Sequence, residues 1–265
     1  MTLISLTEFE DPELLKVKPT RTVGEYCWTS TPFVPYYIFN HYLEIDDITY
    51  VDADVMFFSS PQPIFNELGD RSVLITPHRY TPKYDKSSTS GIYCVQFVTF
   101  KRDKYSLEVL NWWRERCLEW CYNRVEAGKL GDQKYLDDWL ERFENVHSLE
   151  HIGGGVAPWN VQQYKIHKEG SALKVDDTDV IFYHYHGFRL YTNKEIDLSA
   201  YRLGSEVVKY IYKPYIKALK DAEASVKKVA PDFSYGYTKK CKNLEDCLRM
   251  IYRIMRGEYN VIRSA

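Results

Sequence analysis

The sequence predicts an α/β fold, a mixed open sheet flanked by helices, from three observations. Short β-branched and aromatic runs recur, longer segments of helical periodicity separate them, and apolar residues suffice for a sizeable core. With 265 residues, 45% of them hydrophobic, the chain accommodates one large domain or a medium domain with an appendage, which excludes disorder as a description of the whole.

The expected strands cover residues 48–51, 73–76, 95–100 and 180–183, each bounded by turn-forming or charged residues. Leu3-Ile4-Ser5-Leu6 has the same apolar character and is expected to be an internal strand. A helix is expected over 106–127, with Leu107, Leu110, Trp113, Cys117, Trp120 and Cys121 along one face. A second is expected over 133–142, after the Gly131-Asp132 break.

Beyond residue 186 the pattern turns charged, Tyr-rich and helical, which divides the chain into an α/β domain over 1–200 and a basic helical region over 201–265. That region carries 14 Lys and Arg against 7 Asp and Glu, in a chain whose net charge is −2. Val207, Val208, Ile211, Tyr215, Ile216 and Leu219 oppose Lys209, Lys213, Lys217 and Lys220, and Pro214 kinks or restarts the helix. In the last helix Asn243 serves as N-cap, Gly257 ends it, and Leu244, Leu248, Ile251 and Met255 are expected to face inward.

Composition removes several classes. The six cysteines, Cys27, Cys94, Cys117, Cys121, Cys241 and Cys247, lack the paired C-x-x-C spacing of zinc sites and fit a reducing, cytoplasmic location, with Cys117 and Cys121 as small core residues. The segment beginning Met1-Thr2-Leu3 lacks a basic stretch followed by a long apolar one, and no apolar run approaches the ~20 residues of a spanning helix. The basic charge belongs to no nucleic-acid-binding module.

Chemistry concentrates in four segments. In Val51-Asp52-Ala53-Asp54-Val55, two carboxylates leave a buried strand at the carboxyl edge of the sheet, where open α/β folds bind ligands. Oxygen ligands so placed suit magnesium or manganese with diphosphate oxygens completing the shell, although a D-x-D alone is also a common solvated turn. In Tyr183-His184-Tyr185-His186-Gly187 a neutral imidazole can supply a third ligand, and Gly187 permits close backbone approach to a phosphate. Asp132 opens its helix as an N-cap, while Gln133, Asp137 and Asp138 are candidates for sugar hydroxyls. Gly153-Gly154-Gly155 precedes Trp159, whose ring can stack on a sugar or simply fill a buried turn.

In this order the segments resemble a glycosyltransferase of the GT-A fold, closest to the family-eight relatives of glycogenin and the bacterial lipopolysaccharide galactosyltransferases. The resemblance runs from about Thr20 to about Tyr191 and rests on motif order and spacing. It implies that Asp52, Asp54 and His184 ligate Mn2+ or Mg2+, and that Asp132 and Gln133, matching a D-Q-x-x-L-N helix, lie beside the donor sugar. It also implies a nucleoside-diphosphate sugar as donor, a UDP-sugar first, a glycan or lipid-linked acceptor, and retention of anomeric configuration. The family's diphosphate-neutralising lysine has no counterpart, with Arg189 its substitute; Cys94 replaces an asparagine on the strand 91–100, leaving Gln96 as the nearest amide.

Only 51 residues precede Asp52, so the resemblance implies that roughly the first 60 residues of a complete relative are absent, with most of the base-binding floor. A non-catalytic remnant that binds a carbohydrate or a partner is therefore the alternative. A two-metal phosphoesterase would need more clustered Asp and His. The Lys-rich faces of 201–265 are either solvated or rest on anionic lipid, placing the protein peripherally at the inner membrane face.

Overall fold

The structure, a computed structural model, describes residues 2–240 and 243–263, so Met1 and Cys241 lie outside the described residues. Strands β1 (Asp47–Val51), β2 (Val55–Phe57), β3 (Val73–Pro77), β4 (Tyr93–Lys101) and β5 (Val146–Ser148) are followed by β6 (Ile166–Glu169), β7 (Ala172–Val175), β8 (Thr178–Asp179) and β9 (Phe182–His184). Then come β10 (Arg189–Tyr191), β11 (Glu195–Asp197), β12 (Tyr237–Thr238) and β13 (Val261–Arg263). The chain forms two compact units, residues 1–53 with 62–151, and residues 54–61 with 152–265.

The first unit is built on a mixed four-stranded sheet in the order β1-β4-β3-β5, in which β4 is antiparallel to both neighbours and β3 is parallel to β5. Three of its strands, β1, β3 and β4, were expected from their β-branched and aromatic runs, while β5 was not; β4 is buried from Tyr93 to Phe100, as a central strand covered on both faces must be. The helix Lys104–Glu119 starts where Asp103 accepts hydrogen bonds from the N–H groups of Tyr105 (3.0 Å) and Ser106 (2.9 Å). Its buried face, Val109, Leu110, Trp113 and Cys117, joins Ile75, Val98, Phe100 and Trp139 in the core.

Three expectations change here. Leu3-Ile4-Ser5-Leu6 is no strand: Ser5 accepts from Glu8 N and caps a short helix, Leu6–Phe9, while Leu3 and Leu6 are exposed. The helix expected to reach 127 stops at Glu119, because Trp120 adopts an extended backbone and residues 126 and 129 pair across a turn. Trp120 and Cys121 are nevertheless buried, which is why their spacing mimicked a continuing helical face. The segment expected as one helix over 133–142 is a 3-10 turn, Gln133–Asp138, running into a short α-helix, Trp139–Arg142. Cys117 and Cys121 are fully buried thiols, as expected of small core residues.

The second unit contains the β2-β9 ladder, the β6-β7-β8 meander and a sheet in the order β12-β10-β11-β13. Its core gathers Tyr183, Tyr185 and Tyr212, with the Tyr183 and Tyr212 hydroxyls 3.2 Å apart and Tyr185 donating to the Ile211 carbonyl at 3.0 Å. The helical character expected beyond 186 is interrupted by strands, since β12 and β13 return from the basic region to pair with β10 and β11. Pro214 does mark a restart: a π-turn over Val208–Tyr212 runs into the helix Lys213–Val229, where a residue lacking an N–H is tolerated in the first turn.

The final helix, Leu244–Met255, begins on Asn243, which accepts from Asp246 N at 2.9 Å, and ends beside Gly257 at φ 66°. Its orientation reverses the expectation. Leu244 (75% exposed), Leu248 (57%), Ile251 (50%) and Met255 (73%) face outward. On the opposite side Arg253 donates to both carboxylate oxygens of Asp197 (2.6 and 2.7 Å) and to the Ser199 carbonyl (2.7 Å). A paired, largely buried guanidinium holds this helix in place, whereas sequence periodicity assigns inward packing to the apolar stripe.

Candidate functional site

β1 ends against β4, and one further bond from Asp52 N to the Gln96 carbonyl (3.1 Å) carries the ladder to the first aspartate. Three residues later β2 enters the antiparallel ladder with β9, in which Val55 faces His184 and Met56 faces Tyr183. Tyr185 N donates to the Asp54 carbonyl at 2.8 Å, and this register sets the Asp54 side chain against that of His184, with Oδ1 and Nε2 3.0 Å apart. One ligand atom from each of Asp52, Asp54 and His184 lies within 4.8 Å of the others, a grouping of two carboxylates and an imidazole. Oxygen and imidazole donors so close together fit a divalent cation, which neutralises carboxylate repulsion.

The electrostatics are those of a charged site. Burial works against ionisation of Asp54, but the hydrogen bond and charge of His184, together with the charge of His186, hold its carboxyl below the usual range. His184 is 5% exposed, and Trp159, buried itself, stands edge-on to the rings of His184 (5.2 Å) and His186 (5.5 Å). Trp159 thus walls the histidines. Tyr50, two residues before Asp52 on the same face of β1, donates to Asp52 Oδ1 at 3.0 Å. Sequence reasoning missed both contacts, although the i, i+2 spacing of Tyr50 and Asp52 carries the signal for the second.

Asp132 is 3% exposed, and its side chain does not cap the following turn as expected. Its carbonyl instead accepts from Trp113 Nε1 at 3.0 Å, which fixes the loop, and its Oδ2 is buried without a hydrogen-bond partner. Burial, reinforced by the charge of Asp52 and opposed by a hydrogen bond from Thr31, pushes its carboxyl up to about 7. Gly131 makes the turn into this loop at φ 55°, where a Cβ would also come within 3.3 Å of the Trp28 ring. Gln133 donates from its amide to the Ser90 carbonyl at 2.7 Å.

Gln96 is fully buried on β4, and both side-chain amide atoms lack a protein partner. An orphaned amide on the strand that bonds Asp52 is costly unless something satisfies it. The remaining candidates are placed less closely. Gly187 turns the chain at φ 78° with open space where a Cβ would stand, and Arg189 is exposed at the start of β10. Asp137 accepts from Ile92 N (2.7 Å) and pairs with Lys134 (2.6 Å), while Asp138 pairs with Arg142, so these two acids serve the local structure.

No family model matches this chain. It is similar to two uncharacterized proteins of Bacillus subtilis (strain 168). YfnD is 36% identical over 248 residues, covering 91% of this chain and 79% of that protein. YfnF is 32% identical over 251 residues, covering 92% and 82%. Among solved structures, a glycosyltransferase involved in the glycosylation of the major capsid of PBCV-1 aligns with a TM-score of 0.43 and 12% identity, over 64% of this chain and 74% of that one, a likeness too slight to assign a function.

Proposed function

The chain belongs to the family of YfnD and YfnF, and we propose that it is a GT-A glycosyltransferase that moves a sugar from a nucleoside diphosphate, a UDP-sugar first, to a glycan or lipid-linked acceptor. The observation that carries this reading is the convergence of Asp52, Asp54 and His184, the residues whose motifs resemble the family-eight enzymes. In this reading they hold Mn2+ or Mg2+, which when bound offsets the negative charge gathering on the leaving diphosphate. The bond from the anomeric carbon to that diphosphate breaks as the acceptor hydroxyl bonds to the same carbon, with retention of configuration.

The chain's own residues supply the rest of the site. Gln96 offers the buried amide to the donor, and its two unpartnered atoms support that role. Asp132 and Gln133 address the donor sugar, with the unpartnered Asp132 Oδ2 available to accept a proton. Gly187 allows close backbone approach to the diphosphate, and Arg189 adds positive charge near it. Trp159 keeps the His184 ring oriented. The outward apolar face of the helix Leu244–Met255, in a basic region, supports peripheral contact with anionic lipid at the inner membrane face.

Donor hydrolysis tests the proposal. Purified protein, Mn2+ and a panel of sugar nucleotides should release free sugar slowly, and Asp54→Asn should lower the rate at least ~100-fold, as loss of a metal ligand does. Donor binding without turnover would instead identify a non-catalytic remnant. Turnover that persists in chelator, or is unchanged by Asp54→Asn, would overturn the assignment.

A further inference from the structure

Asp52 lies just beyond the last pair of the β1-β4 ladder, in which Tyr50 faces Val98 and Val51 faces Phe97. Its N–H is tied to the Gln96 carbonyl, which fixes its backbone, but strand pairing by itself does not choose among the staggered rotamers of its side chain. Tyr50 is placed to make that choice. Side chains two residues apart on a strand share a face, and the Tyr50 hydroxyl reaches Asp52 Oδ1 at 3.0 Å.

The direction of this bond follows from the chemistry of the two groups. A phenol, whose ordinary pKa is about 10, keeps its proton at neutral pH, and an ionised carboxylate has lone pairs alone to offer, so Tyr50 donates and Asp52 accepts. Such a charge-assisted bond is stronger than one between neutral groups. The donor is also stiff, since its ring turns on two side-chain torsions and its base sits inside the paired part of β1. A carboxylate carries about four lone-pair sites, so the Tyr50 bond and a cation can share it. By contrast Asp54 is held at 3.0 Å by His184, itself one of the three grouped ligand side chains. Tyr50 holds Asp52 from outside that grouping, by a bond that loading of a cation need not break.

We propose that Tyr50 is a positioning residue for the cation site, its hydroxyl aiming the Asp52 carboxylate before the ion arrives. This rests on the reading in which Asp52, Asp54 and His184 hold a divalent cation. Without the hydroxyl the carboxylate samples its rotamers freely, and binding has to order it at a cost in conformational entropy. Partners that orient metal ligands in this way are worth roughly 10–100-fold in affinity.

Tyr50→Phe deletes the hydroxyl and keeps the ring. Titration of the full chain with Mn2+ in the presence of UDP, read by electron paramagnetic resonance, should show affinity weakened about tenfold in this variant. At saturation its bound-ion spectrum should differ from wild type, because the Asp52 oxygens meet the ion in another orientation. Tyr26→Phe removes a bond of the same kind, from a phenol to the Glu10 carboxylate at 2.8 Å, and should leave both affinity and spectrum at wild type. Melting of Tyr50→Phe without metal should fall by no more than about 5 °C, as for one lost hydrogen bond. Unchanged affinity, an unchanged bound-ion spectrum, or an equal loss in Tyr26→Phe would overturn this inference and leave the cation reading in place. A wild-type chain that binds no Mn2+ would overturn both.

Discussion

Asp132 is the residue whose chemistry departs most from what its sequence position suggests. A Gly-Asp pair before a helical segment ordinarily marks an N-cap, and nothing in the local sequence says that the side chain is instead buried near Asp52. The consequence is a carboxyl at about 7 against an ordinary 3.8. Since the folded chain holds this proton more tightly than the unfolded chain, stability is fully present below the unfolded value and falls as pH rises from about 4 to about 7. Above that window the ionised, buried carboxylate costs on the order of 4 kcal/mol as an upper bound. Asp132→Asn, which cannot ionise, should therefore raise the melting temperature at pH 8 relative to wild type by roughly 5 °C or more. At pH 5, only about one unit into that window, the gain should be less than half as large; an equal effect at both values, measured by calorimetry without metal, would contradict the account. By contrast Asp52, Asp54 and His184 were legible as candidates, because each combines a ligand-type side chain with a flanking strand.

Elements were legible where both their period and their boundaries were local. Three strands of the first unit, β1, β3 and β4, follow from their β-branched runs, and the helix expected from residue 106 begins at Lys104; the short β5 and the Asp103 cap were not anticipated. Burial of Trp120 and Cys121 beyond the helix end, and the pairing of residues 126 and 129, are tertiary outcomes that helical periodicity cannot distinguish from another turn. The Leu244–Met255 helix shows the same limit more sharply: its caps were correct and its inward face was not, because Asp197, 56 residues from Arg253, decides which side docks. That outward stripe makes a prediction at this scale. Co-sedimentation with phosphatidylglycerol-containing vesicles at low salt should capture the protein, and Leu248→Asp combined with Ile251→Asp should reduce the bound fraction at least ~5-fold. Protein that stays in solution with anionic vesicles at low salt would rule out this contact.

At the scale of the molecule, the chain's mixed α/β architecture agrees with the sequence, Asp52, Asp54 and His184 come together as a grouping that could hold a metal, and the compact units are residues 1–53 with 62–151 and residues 54–61 with 152–265. The boundary at residues 53 and 54 falls inside the D-x-D turn, so the same short stretch closes the β1 ladder and opens the β2 ladder. Composition cannot reveal such a boundary, because both ladders are built from apolar runs of the same kind. What joins the sequence to the proposed activity is the cation binding proposed for the three clustered side chains. Titration with Mn2+ in the presence of UDP, followed by loss of the free-ion electron paramagnetic resonance signal, measures this directly. The account predicts one bound ion per chain, with affinity weakened at least ~30-fold by Asp54→Asn and by His184→Ala and proton release on binding. An absence of Mn2+ binding, or wild-type affinity in both variants, would contradict it.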